Sequence, residues 1–121
     1  MKTAELTGAA LDWAVAKCEG IELIGGRYNR LLVDGHMSRG QEMMAPYKPT
    51  TNWAQGGPII EREMAKIERF SDALWEATIF TRTAQDFVQD GPTPLIAAMR
   101  CYVASKLGDN VEIPEELMEQ A

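Results

Sequence analysis

The stretch GPTPLIAAMRCYVASKLG, residues 91–108, is the clearest helix in the sequence and decides the fold. Thr93 is a natural N-cap, and Pro94 suits the first helical position, where the backbone N–H has no partner within the helix. Apolar side chains then recur at helical spacing, and Gly108 is a typical residue to end a helix. The sequence therefore predicts a core helix that begins after Thr93 and ends before Gly108.

A second helix is predicted near the start of the chain. Thr7 can cap it, apolar residues recur at helical spacing through Gly8–Glu19, and Gly20 follows as a stop signal. Trp13 lies at the flank of the apolar stripe, which favours a place in the core or along the wall of a groove. We expect this helix to pack into the core together with the helix that follows Thr93.

Between these helices the pattern indicates short strands. Residues 21–33 read as a hairpin around a glycine pair, and residues 75–81 have the β-branched and aromatic content of a strand. A helix over residues 58–75 competes with a strand reading, so residues 68–73 stay open. The resulting prediction is an α+β fold, with a small antiparallel sheet packed against two main helices in a single domain of residues 1–121.

The remaining segments carry weaker patterns. Residues 34–52 have no clear period and are predicted to form a long surface loop, a length that is usual for functional or disordered segments. Residues 81–90 are polar and are predicted to form a loop or a weak helical turn. Residues 111–114 are predicted to be extended, and residues 115–120 to form a last acidic turn.

Composition limits the classes of function. The formal charge of −6 argues against non-specific nucleic-acid binding, which depends on cationic side chains. No apolar run approaches the roughly 20 residues that cross a bilayer, and Glu5 and Asp12 interrupt any signal-peptide pattern. These features favour a cytosolic protein, in which Cys18 and Cys101 are buried small hydrophobes.

Catalytic patterns are weak. His36 is the only histidine and follows a glycine in a predicted turn, which favours a solvated side chain over a catalytic one. A hydrolase or nuclease that uses a metal at Glu61 and Glu63 is the weakest option, because side chains two residues apart do not share a helix face. We therefore predict a protein without catalytic residues, metal site or cofactor.

The stretch PYKPTTNWAQGGPIIER, residues 46–62, is the best candidate for a binding site. Its prolines favour an extended run, and Pro58 suits the first position of a helix. Trp53 offers a flat face on which a base or ring can stack, with polar side chains beside it to read the edge of the ring. An ordered loop that Trp53 clamps to the core is an equally good interpretation.

Two arginines complete the predicted site. Arg62 falls in the opening turns of the helix predicted from Pro58, where it and two glycines could face a phosphate. Arg100 lies about 100° from the core stripe of its helix, which favours solvent, or else it clamps a carboxylate or phosphate. The candidate ligand-binding residues are Thr50, Thr51, Asn52, Trp53, Gly56, Gly57, Arg62 and Arg100.

Three stretches carry a resemblance to a known family: ELTGAALDWAVAKCEG, YKPTTNWAQGGPIIERE and GPTPLIAAMRCYVASKLGDNVEIPEEL. They occur in this order between residues 5 and 117, and the chain resembles the NinX-type family of small proteins from lambda-like and P22-like bacteriophages. The chain has Thr50 and Asn52 where the family usually has Ser and Asp. The resemblance implies a phage or prophage gene whose product lies in the cytoplasm of an infected bacterium, and it brings no mechanism.

The sequence and the resemblance together lead to two hypotheses. The first is a non-enzymatic binding protein that sequesters a small nucleotide-like ligand, such as an immune signal of the host, and that forms a homo-oligomer. The second is a protein–protein adaptor that inhibits or redirects a host or phage enzyme. An acidic surface and the flexible side chains of Met37, Met43 and Met44 suit the adaptor.

Overall fold

A computed structural model describes residues 1–21, 23–24, 32–33, 45–83 and 85–118 of the chain. A short 3₁₀ turn at Thr3–Glu5 precedes the first helix. The helices are α1 (Gly8–Glu19), α2 (Trp53–Glu63), α3 (Pro94–Leu107) and α4 (Glu115–Met118). The strands are β1 (Leu23–Ile24), β2 (Leu32–Val33), β3 (Ala45–Pro46), β4 (Lys66–Ser71), β5 (Leu74–Phe80) and β6 (Asp86–Gly91).

The main sheet is an antiparallel meander in the order β4-β5-β6. Ala77 pairs with Ile67 on one side and with Gln89 on the other, so their side chains share one face of the sheet. Ala77 and Ile79 are buried on this face, and α3 packs against all three strands. The structure thus confirms the predicted α+β class, with α3 as the helix that covers the sheet.

Helix α3 is buried on nearly every side. The sheet covers part of its surface, while α1 and α2 also pack against it. A helix in such a position needs small or apolar side chains all round, and the run from Ala97 to Ala104 supplies them, with Arg100 as an exception. The molecule is therefore organised around α3, as the clarity of its sequence pattern indicates.

A second small sheet joins β1, β2 and β3 in antiparallel pairs. The pairing of Leu23–Ile24 with Leu32–Val33 confirms the predicted hairpin, whose glycine turn lies outside the described residues. His36 and the three methionines of the predicted loop also lie outside them. At the far end of that loop the prediction is wrong, because Ala45–Pro46 pairs with β2 as a strand.

Several boundaries agree with the sequence prediction. The bounds of α1 are Gly8–Glu19, as predicted, and α3 begins at Pro94 with the Thr93 side chain accepting a hydrogen bond from the Ile96 N–H. Strand β5 begins and ends one residue before the predicted strand. Strand β4 resolves the segment that the sequence left open.

One prediction in this region is wrong. Residues 81–90 are not a loop throughout, because Asp86–Gly91 forms the edge strand β6. Its side chains alternate between a half-buried face with Phe87 and an exposed face with Val88. Pairing with β5 outweighs the low strand preference of its acidic and glutamine residues. Within the described residues, no helix is long and apolar enough to span a membrane.

Candidate functional site

Helix α2 begins at Trp53, five residues before the predicted start at Pro58. Asn52 is its N-cap: the side-chain oxygen accepts a hydrogen bond from the Ala54 N–H at 2.9 Å. Pro58 lies inside the helix, where its ring removes one backbone hydrogen bond. The glycine pair is consequently part of the helix and does not precede it, which corrects the predicted phosphate loop.

The turn before α2 is fixed at several points. The backbone N–H groups of Thr51 and Asn52 both donate to the Lys48 carbonyl, and the Gln55 side-chain oxygen accepts from the Lys48 N–H at 2.6 Å. Gly56 lets the turn approach the helix, because a Cβ at this position would lie 2.4 Å from the Pro49 carbonyl oxygen. Gly56 is thus a packing residue between elements, a role that the sequence analysis did not predict for it.

A cavity of 240 Å³ lies between the start of α2 and the start of α3. Thr50, Thr51 and Trp53 line one side, and the first residues of α3 line the other: Thr93, Pro94, Leu95 and Ile96. The side chain of Trp53 is 55% exposed, so its ring is a wall of the cavity and not part of the core. The arrangement is mostly apolar with three hydroxyl groups, as in sites for flat ring systems.

A second cavity of 150 Å³ lies on the other side of the threonine pair. Its lining comprises Asp12, Lys48, both threonines and the first turn of α1 at Gly8 and Ala9. Asp12 is only 6% exposed, and its Oδ1 accepts from the Thr50 N–H at 3.0 Å and from the Thr50 hydroxyl at 2.8 Å. Its Oδ2 accepts no hydrogen bond from a described residue.

Burial sets the charge state of Asp12. Loss of hydration raises the pKa of its carboxyl from 3.8 to about 6, although the hydrogen bonds from Thr50 and the charge of Lys48 act in the opposite direction. A buried carboxylate oxygen to which no described residue donates has lost hydration that these residues do not replace, and such a loss is costly. Asp12 therefore offers a strong acceptor to any hydroxyl or N–H group that enters the second cavity.

The C-terminal end of α2 is built differently. Arg62 donates to both carboxylate oxygens of Glu19 in α1, at 3.0 and 2.6 Å, and to Glu63 at 2.9 Å. It also donates to the Tyr102 hydroxyl at 3.2 Å, and the same hydroxyl donates to Glu19. Lys106 adds an ion pair with Glu63 at 3.8 Å. Arg62 thus ties three helices together in the last turn of α2, whereas its predicted place was in the opening turns.

The pKa values of this cluster follow its pairing. Hydrogen bonds from Arg62 lower the pKa of Glu19, and those to Glu19 and Glu63 raise the pKa of Arg62. The guanidinium also lies 5.5 Å from the centre of the Tyr102 ring, within the range of a cation–π contact. The N–H donors of Arg62 are therefore engaged by other residues of the protein.

Arg100 is buried, which corrects the expectation that solvent surrounds it. Its Nε donates to the Leu6 carbonyl and its Nη1 to the Asp90 carbonyl, both at 2.9 Å. Burial lowers the pKa of the guanidinium, while the charge of Asp90 opposes the change. Neither alternative from the sequence fits, because its partners are main-chain carbonyls of the lead-in to α1 and of β6.

The structure therefore brings together three of the predicted residues, Thr50, Thr51 and Trp53, in one cavity wall. Gly57 lies one turn beyond Trp53, and a Cβ there would be 3.9 Å from the ring. Sequence reasoning missed Asp12 as a site residue. Its signal was present, because Asp12 falls on the same face of α1 as small buried residues such as Ala9 and Ala16.

The structure also describes residues for which the sequence predicted little or no chemistry. In the part of the chain that the structure describes, no group of three or more His, Cys, Asp or Glu side chains could hold a metal ion. Glu63 is engaged by Arg62 and Lys106, so it does not form a pair with Glu61. Cys101 is buried, as predicted, and Cys18 is half-buried; burial raises the pKa of both thiols to about 11.

Comparison with known proteins adds the family. No curated protein matches the chain. The model of the family described as "Bacteriophage P22, NinX" matches residues 2–106. This match includes α1, the threonine pair, all of α2, the main sheet and nearly all of α3, and so both cavities. The chain accordingly belongs to the bacteriophage P22 NinX family.

Proposed function

We propose that this phage protein binds a small nucleotide-like ligand without transforming it, and that it sequesters this ligand in the cytoplasm of the infected bacterium. The observation that carries the proposal is the exposed ring of Trp53 at the wall of the cavity between α2 and α3. An indole left half in water on a cavity wall provides a stacking surface for a base. The phage context favours an immune signal of the host as the ligand.

The sizes of the cavities support a ligand with two parts. Cavities that enclose a drug-sized ligand measure about 300–1,000 Å³. The first cavity is smaller, at 240 Å³, so it suits one flat ring system. The remainder of the ligand would pass over the threonine pair toward Asp12 and Lys48 in the second cavity. There Asp12 would accept from a sugar hydroxyl or an N–H group, and Lys48 would attract a phosphate.

The lining residues favour binding over catalysis. The described residues that line the two cavities present threonine hydroxyls, one carboxyl and one ammonium group, and none of them is a histidine or a cysteine. A nucleophile would need a base within hydrogen-bond reach, and Asp12 instead accepts from Thr50 in the arrangement of a buried structural pair. We also propose a homo-oligomer, since small binding proteins often complete such open sites at subunit contacts.

The test is native mass spectrometry of the full chain, alone and with a panel of mono-, di- and cyclic nucleotides. We expect one nucleotide class to remain bound per subunit, and Trp53→Ala to lose it while its circular dichroism stays that of the folded protein. Phe80→Ala is the matched control, because Phe80 has a similar exposure of 58% but lies on the main sheet. The same spectra report the number of subunits.

Two results would overturn the proposal. One is a wild-type spectrum in which no nucleotide of the panel is retained. The other is retention of the nucleotide by Trp53→Ala at the wild-type level, because the indole would then not be the stacking surface. Equal loss in Phe80→Ala would also count against the site, since it would show that binding depends on general apolar exposure.

A further inference from the structure

The main sheet has one face that no described element covers. Helix α3 packs on the inner face, and the side chains of the outer face alternate with those beneath it. We call this surface the outer sheet face; it comprises Lys66, Glu68, Phe70, Leu74, Glu76, Thr78, Phe80, Asp86, Val88 and Asp90. Antiparallel sheets often leave one face to water, but such a face is then normally polar throughout.

A row of carboxylates crosses the middle of this face. Glu76 on β5 pairs directly with Glu68 on β4 and with Asp90 on β6, so three acidic side chains stand side by side. Little of this charge is compensated, because among the described residues Lys66 alone makes an ion pair with the row, to Glu68 at 3.3 Å. Like charges directly opposite one another destabilise a sheet, so the row works against the stability of the fold.

Apolar side chains lie on both sides of the acidic row. Phe70 and Leu74 flank it at one end of the strands, and Val88 and Phe80 flank it at the other, and all four are exposed. Exposed apolar groups of this size beside charged ones are typical of protein interaction sites. A helix that lies along the strands would complement this face if it presented basic side chains at its middle and apolar side chains toward both ends.

We propose that the outer sheet face binds a helix of a partner protein whose contacting face is basic at its middle and apolar toward both ends. Three strands about 4.8 Å apart make a face about 10 Å wide, which matches the 10–12 Å diameter of a helix. Lysine or arginine side chains of the partner meet the carboxylate row, and its apolar side chains meet the four exposed apolar residues. The inference is independent of the proposed nucleotide site and gives the predicted adaptor role a surface and a partner chemistry.

Charge excludes the other occupants. A second copy of the chain, placed face to face, would set one carboxylate row against another. Nucleic acid and anionic lipid carry the same sign of charge as the row. A metal ion does not fit either, because among the described residues no three acidic groups converge on one point.

The test uses a synthetic helical Lys/Leu peptide of about 14 residues, whose length of about 21 Å matches strands of six to seven residues. One face of this helix carries lysine at its middle and leucine in its first and last turns. Its control is a peptide of the same composition in which the order of residues destroys this pattern. We expect the first peptide to bind, with the largest NMR shift changes at amides of β4, β5 and β6. Absence of binding, shifts elsewhere, or equal binding of both peptides would overturn the proposal.

Two substitutions at Glu76 sharpen the test. Glu76→Lys reverses the charge at the centre of the row, and we expect it to weaken peptide binding about tenfold or more. Glu112→Lys makes the same change in net charge at an exposed site in the chain's tail, and we expect less than a twofold effect. Equal losses in the two variants would show that peptide binding depends only on the net charge of the protein. That result would overturn the proposed surface.

Glu76→Thr separates binding from folding. Removing the central carboxylate relieves the repulsion and places a good strand former in β5, so we expect a higher Tm together with weaker peptide binding. If Glu76 had only a structural role, the substitution would lower both the Tm and peptide binding. If Glu76→Thr lowered the Tm or left peptide binding unchanged, the row would not be a binding feature. Trp53→Ala should leave peptide binding intact, which keeps this test distinct from that of the nucleotide site.

Discussion

The two ends of α2 differ in how far the polar groups around them are satisfied within the fold. At the C-terminal end, Arg62 gives donors to Glu19, Glu63 and Tyr102, and each of these side chains is satisfied within the fold. At the start, Trp53 stays half in water and Asp12 keeps an oxygen to which no described residue donates a hydrogen bond. The difference teaches that the C-terminal end connects three helices, while the start leaves an aromatic ring exposed and a carboxylate oxygen without a hydrogen bond from any described residue.

Two carboxylates of α1 show the same contrast. Glu19 faces a guanidinium and its pKa is lowered, whereas Asp12 faces a neutral threonine and its pKa is raised to about 6. Both lie on one helix, so their own helix does not explain the difference. What distinguishes them is whether the neighbouring element brings a cation close enough to balance the lost hydration.

The largest expected effect is that of Gly56→Ala, because at Gly56 the turn before α2 and the start of α3 pack closely against α2. A Cβ would meet the Pro49 carbonyl oxygen at 2.4 Å and the Leu95 Cδ2 at 2.6 Å, closer than real contacts allow. We expect the free energy of unfolding to fall by about 3 kcal/mol or more, the upper range of overpacking costs. Urea denaturation followed by circular dichroism measures the change.

Gly57→Ala is the matched control for Gly56→Ala. Its Cβ would find only the Trp53 ring at 3.9 Å, so the better helix preference of alanine should leave stability unchanged or raise it by up to about 1 kcal/mol. Similar losses in the two variants would mean that a glycine pair is needed for another reason. The close approach of the turn to α2 would then not explain Gly56.

The next effect concerns Asp12. Its folded pKa of about 6 lies above the unfolded value of 3.8, so its contribution to stability is present below pH 3.8 and is lost as the pH rises through 6. Asn at position 12 does not titrate. We expect Asp12→Asn to gain stability relative to the wild type by about 2 kcal/mol between pH 4.5 and pH 8.

Denaturation of both proteins at the two pH values gives this difference directly. Other titrating groups, including Glu19, cancel in the comparison because both proteins share them. A difference that is constant with pH would contradict the raised pKa of Asp12. Asp12 would then be a carboxylate that the fold satisfies, as Glu19 is. The contrast between the two ends of α2 would disappear.

A smaller effect is expected from Arg62→Gln, which breaks the connection between helices at the other end. Glu19 is only 16% exposed and would lose its bidentate partner, so we expect a loss of about 1–2 kcal/mol at pH 7. Because its folded pKa is lowered, Glu19 contributes stability above its unfolded pKa and loses it as the pH falls through the folded value. The acid side of the stability profile should flatten in the variant.

Arg69→Gln provides the control for this cluster. Arg69 has a similar exposure and also pairs with a carboxylate, but that partner, Asp72, is 95% exposed. We expect a change of less than about 0.5 kcal/mol, as for most surface pairs. If both substitutions lowered the free energy of unfolding by the same amount, the cluster at Glu19 would be an ordinary surface ion pair.

Local signals explain which elements the sequence predicted. The bounds of α1 and α3 depend on residues at their ends, such as the cap at Thr93 and the left-handed Gly20 with a φ of 69°. The start of α2 was missed because glycine and proline disfavour a helix, while the contact of Gly56 with Pro49 that holds it comes from outside the helix. No local pattern carries that contact.

The same distinction applies to the site. The aromatic and polar character of residues 50–53 predicted a surface for binding, and these residues do line a cavity. The opposite wall comes from the start of α3, some 40 residues later in the chain, and only the fold brings it there. Arg100 was misjudged because one apolar stripe on a helix implies one exposed side, whereas α3 is covered on both.

The order of elements around α3 also bears on how the chain folds. The meander of β4, β5 and β6 is followed directly by α3, so its contacts join segments close in sequence and close small loops. The bond from Arg100 to the Leu6 carbonyl, in contrast, spans 94 residues. We expect the meander and α3 to form the folding nucleus, and α1 to dock after the rate-limiting step.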